Sequence, residues 1–144
     1  MALLSWSSKY SVGVESMDGQ HTVLFGFLND LHEAMMKGNA QKTTGELLRK
    51  LLDYTREHFT AEEAIMASAR YPELAQHRTM HRELINKVDE FSARYQRGET
   101  ALNVQLLNFL RDWLTNHIQH EDKKYGPWVN GRDMHKSEHT PVLR

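Results

Sequence analysis

LLDYTREHFTAEEAIM, residues 51–66, decides how the whole chain folds. Leu51, Tyr54, Thr55, His58, Glu62 and Ile65 recur at three- and four-residue steps. That is one face of an α-helix, not the alternation of a strand. His58 falls seven residues after Leu51 and Glu62 eleven, so an imidazole and a carboxylate continue an inward apolar stripe. Buried polar groups are costly without partners. Something inside the fold must therefore meet His58 and Glu62.

The same pattern recurs on either side. His77 and His81 are four apart, His21 stands alone, and His117 precedes Glu121 and Asp122. A first helix is predicted from about Asp18, as N-cap, to Lys37, with Gly38 as its stop. Its inward face is His21, Leu24, Phe25, Leu28, Leu31 and Met35. The second runs from Thr43 or Thr44 to about Met66. The third follows Pro72 and ends near Gly98, carrying Leu74, His77, His81, Leu84, Ile85, Val88 and Phe91. The fourth runs from about Thr100 to Tyr125 with Leu106, Leu110, Trp113, Leu114 and His117 inward, and Gly126 and Pro127 end it. Short loops favour antiparallel neighbours. The expectation is an all-α, up-down-up-down antiparallel four-helix bundle. It forms one domain over 1–144: an extended arm (1–17) carrying Trp6, Tyr10 and Val12, the bundle (18–125), and a loosely docked polar tail (126–144).

In such a bundle the start of one helix lies beside the end of the next. His21 and the His77/His81 pair open their helices, whereas His58/Glu62 and His117 close theirs. All four groups therefore meet at one end. Five imidazoles and two carboxylates exceed the needs of one metal ion and suit two, with carboxylates between them. Imidazole-rich sites suit Zn, Cu, Fe or Ni, not Mg or Ca. Ferritin-like di-iron bundles use Glu-x-x-His motifs and four glutamates. Fewer anionic ligands stabilise high-valent iron less, which favours reversible dioxygen binding over oxygenation.

Composition narrows the classes further. Net charge is -1, so no electrostatic footprint for nucleic acid exists. No cysteine occurs, which removes disulfides, thiolate sites and iron–sulfur clusters. MALLSWSSKYSVG lacks a secretory pattern, and no apolar run reaches the roughly 18 residues of a membrane span. A cytoplasmic protein without membrane insertion is expected, and the lack of an extra apolar face favours a monomer.

Trp6 with SVGVESMDGQH (Ser11 to His21), HFTAEE (His58 to Glu63) with Met66, HRTMH (His77 to His81) and WLTNHIQHED (Trp113 to Asp122) resemble the hemerythrin family, specifically its single-domain bacterial members. The resemblance implies a non-haem di-iron site, with a bridging oxo or hydroxo group, that binds O2 reversibly. It implies His77, His81 and His117 on one iron, His21 and His58 on the other, and Glu62 and Asp122 bridging. The resemblance also implies an open position on the two-histidine iron. One spacing conflicts with a regular helix. Asp122 is five residues after His117, about 140° round the axis, while Glu121 is four after it and better aligned. Following the family pattern to Asp122 predicts a local distortion such as a π-bulge.

Leu24, Phe59, Trp113, Leu114 and Ile118 flank the proposed ligands and are candidates for an O2 pocket; all could equally be core. His32 and His120 are left unassigned, and the His135/His139 pair is expected to be solvated. The favoured function is dioxygen storage, transport or delivery, with an oxygen-consuming enzyme as the candidate recipient. The alternative is a di-iron redox enzyme (oxidase, peroxidase-like or nitric oxide reductase) using the same site.

Overall fold

The computed structural model describes residues 3–38 and 41–139, with the side chains of 3–38 and 42–131. Its helices are α1 (Glu15–Met36), α2 (Gln41–Ser68), α3 (Leu74–Gln96), α4 (Val104–Asn116) and α5 (Lys123–His139). Among the described residues there is no strand, and no helix is long and apolar enough to cross a membrane. Helix α1 packs on α2 and α4, and α2 on α3 and α5. Leu24, Leu28 and Leu31 from α1, Leu48 and Leu52 from α2, Leu84 and Val88 from α3, and Leu107 and Leu110 from α4 form the core. Most of these residues lie on the stripes that helical periodicity selects, whereas Leu52 and Leu107 are buried one position beyond the predicted Leu51 and Leu106.

Helix ends follow local chemistry. Gly98, at φ 76°, closes α3: its N–H donates to the Tyr95 carbonyl at 3.1 Å and Glu99 N–H donates to Arg94 at 2.9 Å. That paired arrangement needs a left-handed residue, which glycine supplies freely. Helix α2 ends the same way with Arg70 at φ 58°, Tyr71 N–H donating to Met66 at 3.0 Å. Helix α4 begins later than its apolar stripe suggests, because the Asn103 side chain caps it, accepting from Leu106 N–H at 2.8 Å.

Two boundaries differ from expectation. Asp18 is not an N-cap: α1 starts at Glu15 with Val14 in the cap position. Asp18 instead reaches back to the arm, accepting from Val12 N–H at 2.8 Å and from the Ser11 hydroxyl at 2.6 Å. Gly126 and Pro127 do not end the fourth helix either. After α4 the backbone passes through a π-helix, His117–Asp122, and continues as α5 through Pro127. The tail from 126 is thus helical to His139.

Gly126 serves as a close-approach point. A β-carbon there would stand 2.0 Å from the Val12 carbonyl oxygen, so only glycine lets the arm cross α5. The arm is laced down elsewhere. The Asn29 amide accepts from Leu4 N–H and donates to its carbonyl, both at 2.8 Å. Trp6 and Tyr10 meet the Phe25 ring edge-on, and Asn130 donates to Gly13 at 2.8 Å. Trp128 docks edge-to-face on Tyr71.

Candidate metal centre

The π-helix decides which carboxylate enters the centre. Lys123 N–H reaches the Ile118 carbonyl, five residues back, so this turn holds one residue more than an α-turn. Residues five apart then take the phase of residues four apart, and Asp122 joins the His117 stripe. Asp122 is 1 % exposed, whereas Glu121 is partly exposed and pairs with Lys124 at 3.3 Å.

His21, His58, Glu62, His77, His81, His117 and Asp122 are brought together, and none is more than 6 % exposed. Their donor atoms form two overlapping groups, each within 4.8 Å: Glu62, His77, His81, His117 and Asp122; and His21, His58, Glu62 and Asp122. Both carboxylates belong to both groups. Glu62 Oε1 lies 3.3 Å and 3.0 Å from Nε2 of His77 and His81, while Oε2 lies 3.3 Å and 3.4 Å from Nε2 of His21 and His58. Asp122 Oδ1 is 2.9 Å and 3.1 Å from Nε2 of His77 and His117, and Oδ2 is 3.1 Å from Nε2 of His21.

Hydrogen bonding does not account for this convergence. His21 Nε2, His81 Nε2 and Asp122 Oδ1 are buried and make no hydrogen bond among the described residues, although each has charged-type neighbours at 2.9–3.3 Å. Nε2 atoms of His77 and His117 approach to 3.1 Å, aimed at the same space. Orphaned lone pairs on buried imidazoles and carboxylates suit a cation shared between them. The donor set therefore fits one metal ion in each group.

Electrostatics agree. Burial works against charge on His21 and His77, but Asp122 and then Glu62 outweigh it and raise both imidazoles to about 9. Burial likewise opposes charge on Glu62, yet contacts from His21, His58, His77 and His81 hold its carboxyl well below the usual range. Asp122 resists burial and the Glu62 charge through His117 and His21, and is also lowered. Without an ion the cluster holds protons where an ion's positive charge would otherwise sit.

Outer partners orient the rings. His58 Nδ1 donates to Gln20 Oε1 at 2.7 Å and His81 Nδ1 to Glu63 Oε2 at 2.8 Å, leaving Nε2 free on both. Phe59 stacks on His81 with centroids 3.6 Å apart, and Trp113 on His117 at 4.4 Å. The Tyr125 hydroxyl, fully buried, donates to Glu62 Oε2 at 2.6 Å. Burial and the Glu62 charge raise its pKa, so it stays a neutral donor. Periodicity missed Tyr125 because the extra π residue alone turns it inward. Gln20 and Glu63 stand beside ligands in quoted stretches, but only the ring-nitrogen geometry reveals their part.

Residues 12–129 match the family model of the hemerythrin HHE cation binding domain. This chain belongs to the hemerythrin family. It is 35 % identical to a bacteriohemerythrin of Methylococcus capsulatus over 131 residues, covering 90 % of this chain and 99 % of that one. It is 30 % identical to myohemerythrin-1 of Phascolopsis gouldii, covering 83 % and 89 % of the two chains. The crystal structure of a wild-type hemerythrin superposes with a TM-score of 0.85 at 34 % identity, covering 89 % of this chain and 98 % of that one. Within this hemerythrin fold, His32 and His120 belong to neither donor group, and the side chains of His135 and His139 lie outside the described residues.

A small cavity of about 40 Å³ lies in the bundle, and Phe59 and Trp113, which stack on His81 and His117, stand between it and those two rings. Leu24, Phe59, Trp113 and Leu114 are among its walls, together with Leu28, Leu51 and Val88. Ile118 is fully buried but does not line it. Thr55 is the one wall residue with a hydroxyl, and that hydroxyl is spent on the Leu51 carbonyl at 2.7 Å.

Proposed function

We propose that the chain binds dioxygen reversibly at a non-haem di-iron centre, for storage or delivery. His77, His81 and His117 hold one iron, His21 and His58 the other, and Glu62 and Asp122 span both, with a solvent-derived oxo or hydroxo bridge. The observation that carries this reading is the split of one buried cluster into two donor groups sharing both carboxylates. Iron held there would supply the reversible one-electron redox chemistry that binding and release of dioxygen require.

The chain's own residues contribute binding, orientation and exclusion. Gln20 and Glu63 fix the tautomers of His58 and His81, so that Nε2 faces the centre. Phe59 and Trp113 cover the outer faces of His81 and His117 and form cavity walls. A water needs roughly 10–15 Å³ and two or more polar partners, and an apolar cavity with room but no partners stays dry. Thr55 already donates to Leu51, so its hydroxyl offers the cavity no free proton. An apolar cavity of this kind would limit water and proton delivery toward the centre, which favours a carrier over a redox enzyme on the same ligands. Leu114→Ala, by opening that wall, is expected to speed autoxidation; an unchanged rate would place the pocket elsewhere.

The deciding experiment is an optical titration of iron-loaded protein, reduced without air and then exposed to oxygen. A charge-transfer band that forms with O2, vanishes under argon and returns on re-exposure is the expected result. Prompt, irreversible passage to the diferric form would favour the redox enzyme instead. Failure to hold about two irons per chain would remove the ligand assignment itself.

A further inference from the structure

The hydrogen bonds outside the ligands are unequal on the two sides of the centre. Glu62 turns Oε1 toward His77 and His81 and Oε2 toward His21 and His58. Tyr125 donates to Oε2 alone, at 2.6 Å. It draws negative charge from the oxygen facing the two-histidine half and leaves the other oxygen untouched. The ring partners lean the same way. His81 leans on the Glu63 carboxylate, which adds electron density to its Nε2, and Arg78 at 3.3 Å on the other Glu63 oxygen tempers but does not remove that charge. His58 leans on Gln20, a neutral amide that fixes the ring without adding charge.

We propose that Tyr125 and Glu63 are opposed positioning residues that polarise the centre, so that the three-histidine metal is oxidised before the two-histidine metal. This rests on the two-iron reading above. Tyr125 disfavours the higher charge on the side where it withdraws density, and Glu63 favours it on the side where it supplies density. Outer partners of metal-bound histidines change metal affinity or activity roughly ten- to hundredfold. A tenfold change in one oxidation equilibrium corresponds to about 59 mV for a one-electron couple. The π-turn makes this arrangement possible, because it rotates Tyr125 onto the same stripe as His117 and Asp122.

The test is an anaerobic potentiometric titration of the iron-loaded chain, in which one electron leaves per step to the mediator and Tyr125 keeps its proton. Two one-electron steps are expected in the wild type. Tyr125→Phe should lower the second step, and Glu63→Gln should raise the first, each by about tenfold in the equilibrium. Both variants thus narrow the gap from opposite sides. A variant that moves both steps together, or leaves the gap unchanged, overturns the proposal. Zinc titration of each metal-free protein runs in parallel: two ions per chain are expected throughout. A variant that loses a zinc ion has a structural defect and also overturns it. A wild type holding fewer than two zinc ions instead overturns the two-metal reading, whatever the potentials show.

Discussion

Helix α2 and the α4–α5 run each supply an imidazole and a carboxylate to the same cluster, but by different means. On α2, His58 and Glu62 are four apart and a regular helix aligns them. On the other run, His117 and Asp122 are five apart, and the π-helix over His117–Asp122 absorbs the extra residue. An added residue turns everything beyond it by about 100°. Downstream of the π-turn, Tyr125 points inward at 0 % exposure, although it stands eight residues after His117. One helix carries its donors by period alone; the other carries them by a change of pitch that also recruits a third polar group.

Single-residue deletions should separate the two most sharply. Thr60 is exposed and lies between His58 and Glu62. Deleting it swings Glu62 about 100° off the stripe and leaves buried imidazoles unpaired, a break worth roughly 3–5 kcal/mol. Loss of both metal binding and a cooperative thermal transition is expected. Deleting Gln119, inside the π-helix, brings His117 and Asp122 to four apart and lets an ordinary α-helix keep the downstream phase. That variant should still bind two ions, measured by metal content on purified protein. Equal damage from both deletions would mean that the π-turn does more than absorb one residue.

The choice between neighbouring carboxylates comes next in size. Asp122→Asn should strip metal from the protein, while Glu121→Gln, which removes only a partly exposed partner of Lys124, should load as the wild type does. The reverse pattern would show that the shifted helix presents Glu121. Metal-free protein offers a second view of the same contrast. His21 and His77 rise from 6.5 to about 9, with Asp122 their largest upward influence. A raised imidazole adds stability that is complete below 6.5 and lost as pH climbs through 9. Glu62 and Asp122 are lowered, so their share is present above the ordinary values of 4.5 and 3.8 and is lost as pH falls. Metal-free protein should therefore be most stable between about pH 5 and 6.5 and weaken toward 9. Metal loading should strengthen over that same upper range, because the ion needs neutral imidazoles. In Asp122→Asn the alkaline decline should shrink; an undiminished decline would locate its origin outside the cluster.

What could be read from the chain beforehand follows the same divide. Three helices, their inward faces and the meeting of His21, His58, Glu62, His77 and His81 at one end all come from uninterrupted helical periods. Beyond His117 the period misleads, since Gly126 and Pro127 resemble a stop and Tyr125 falls off the apolar stripe. The resemblance carried by WLTNHIQHED pointed to Asp122 and so to a distorted turn, but the path of α5 needed coordinates. Partners from distant segments, such as Gln20 on His58 and the arm lying on Gly126, leave no periodic trace.

Glycine offers the smallest test of this contrast, because α1 and α5 each contain one with opposite surroundings. A β-carbon at Gly19 in α1 meets nothing within 4 Å, so Gly19→Ala should stabilise by about 0.5–1 kcal/mol through helix propensity alone. At Gly126 the same methyl would overlap the Val12 carbonyl oxygen, which is backbone and cannot swing aside. Gly126→Ala must push the arm off α5, straining the Val12–Asp18 and Gly13–Asn130 bonds, at a cost of about 1–3 kcal/mol. Thermal unfolding of the two variants should therefore move in opposite directions. A stabilised Gly126→Ala would mean that the arm does not cross at Val12, and that Gly126 is a helix stop after all.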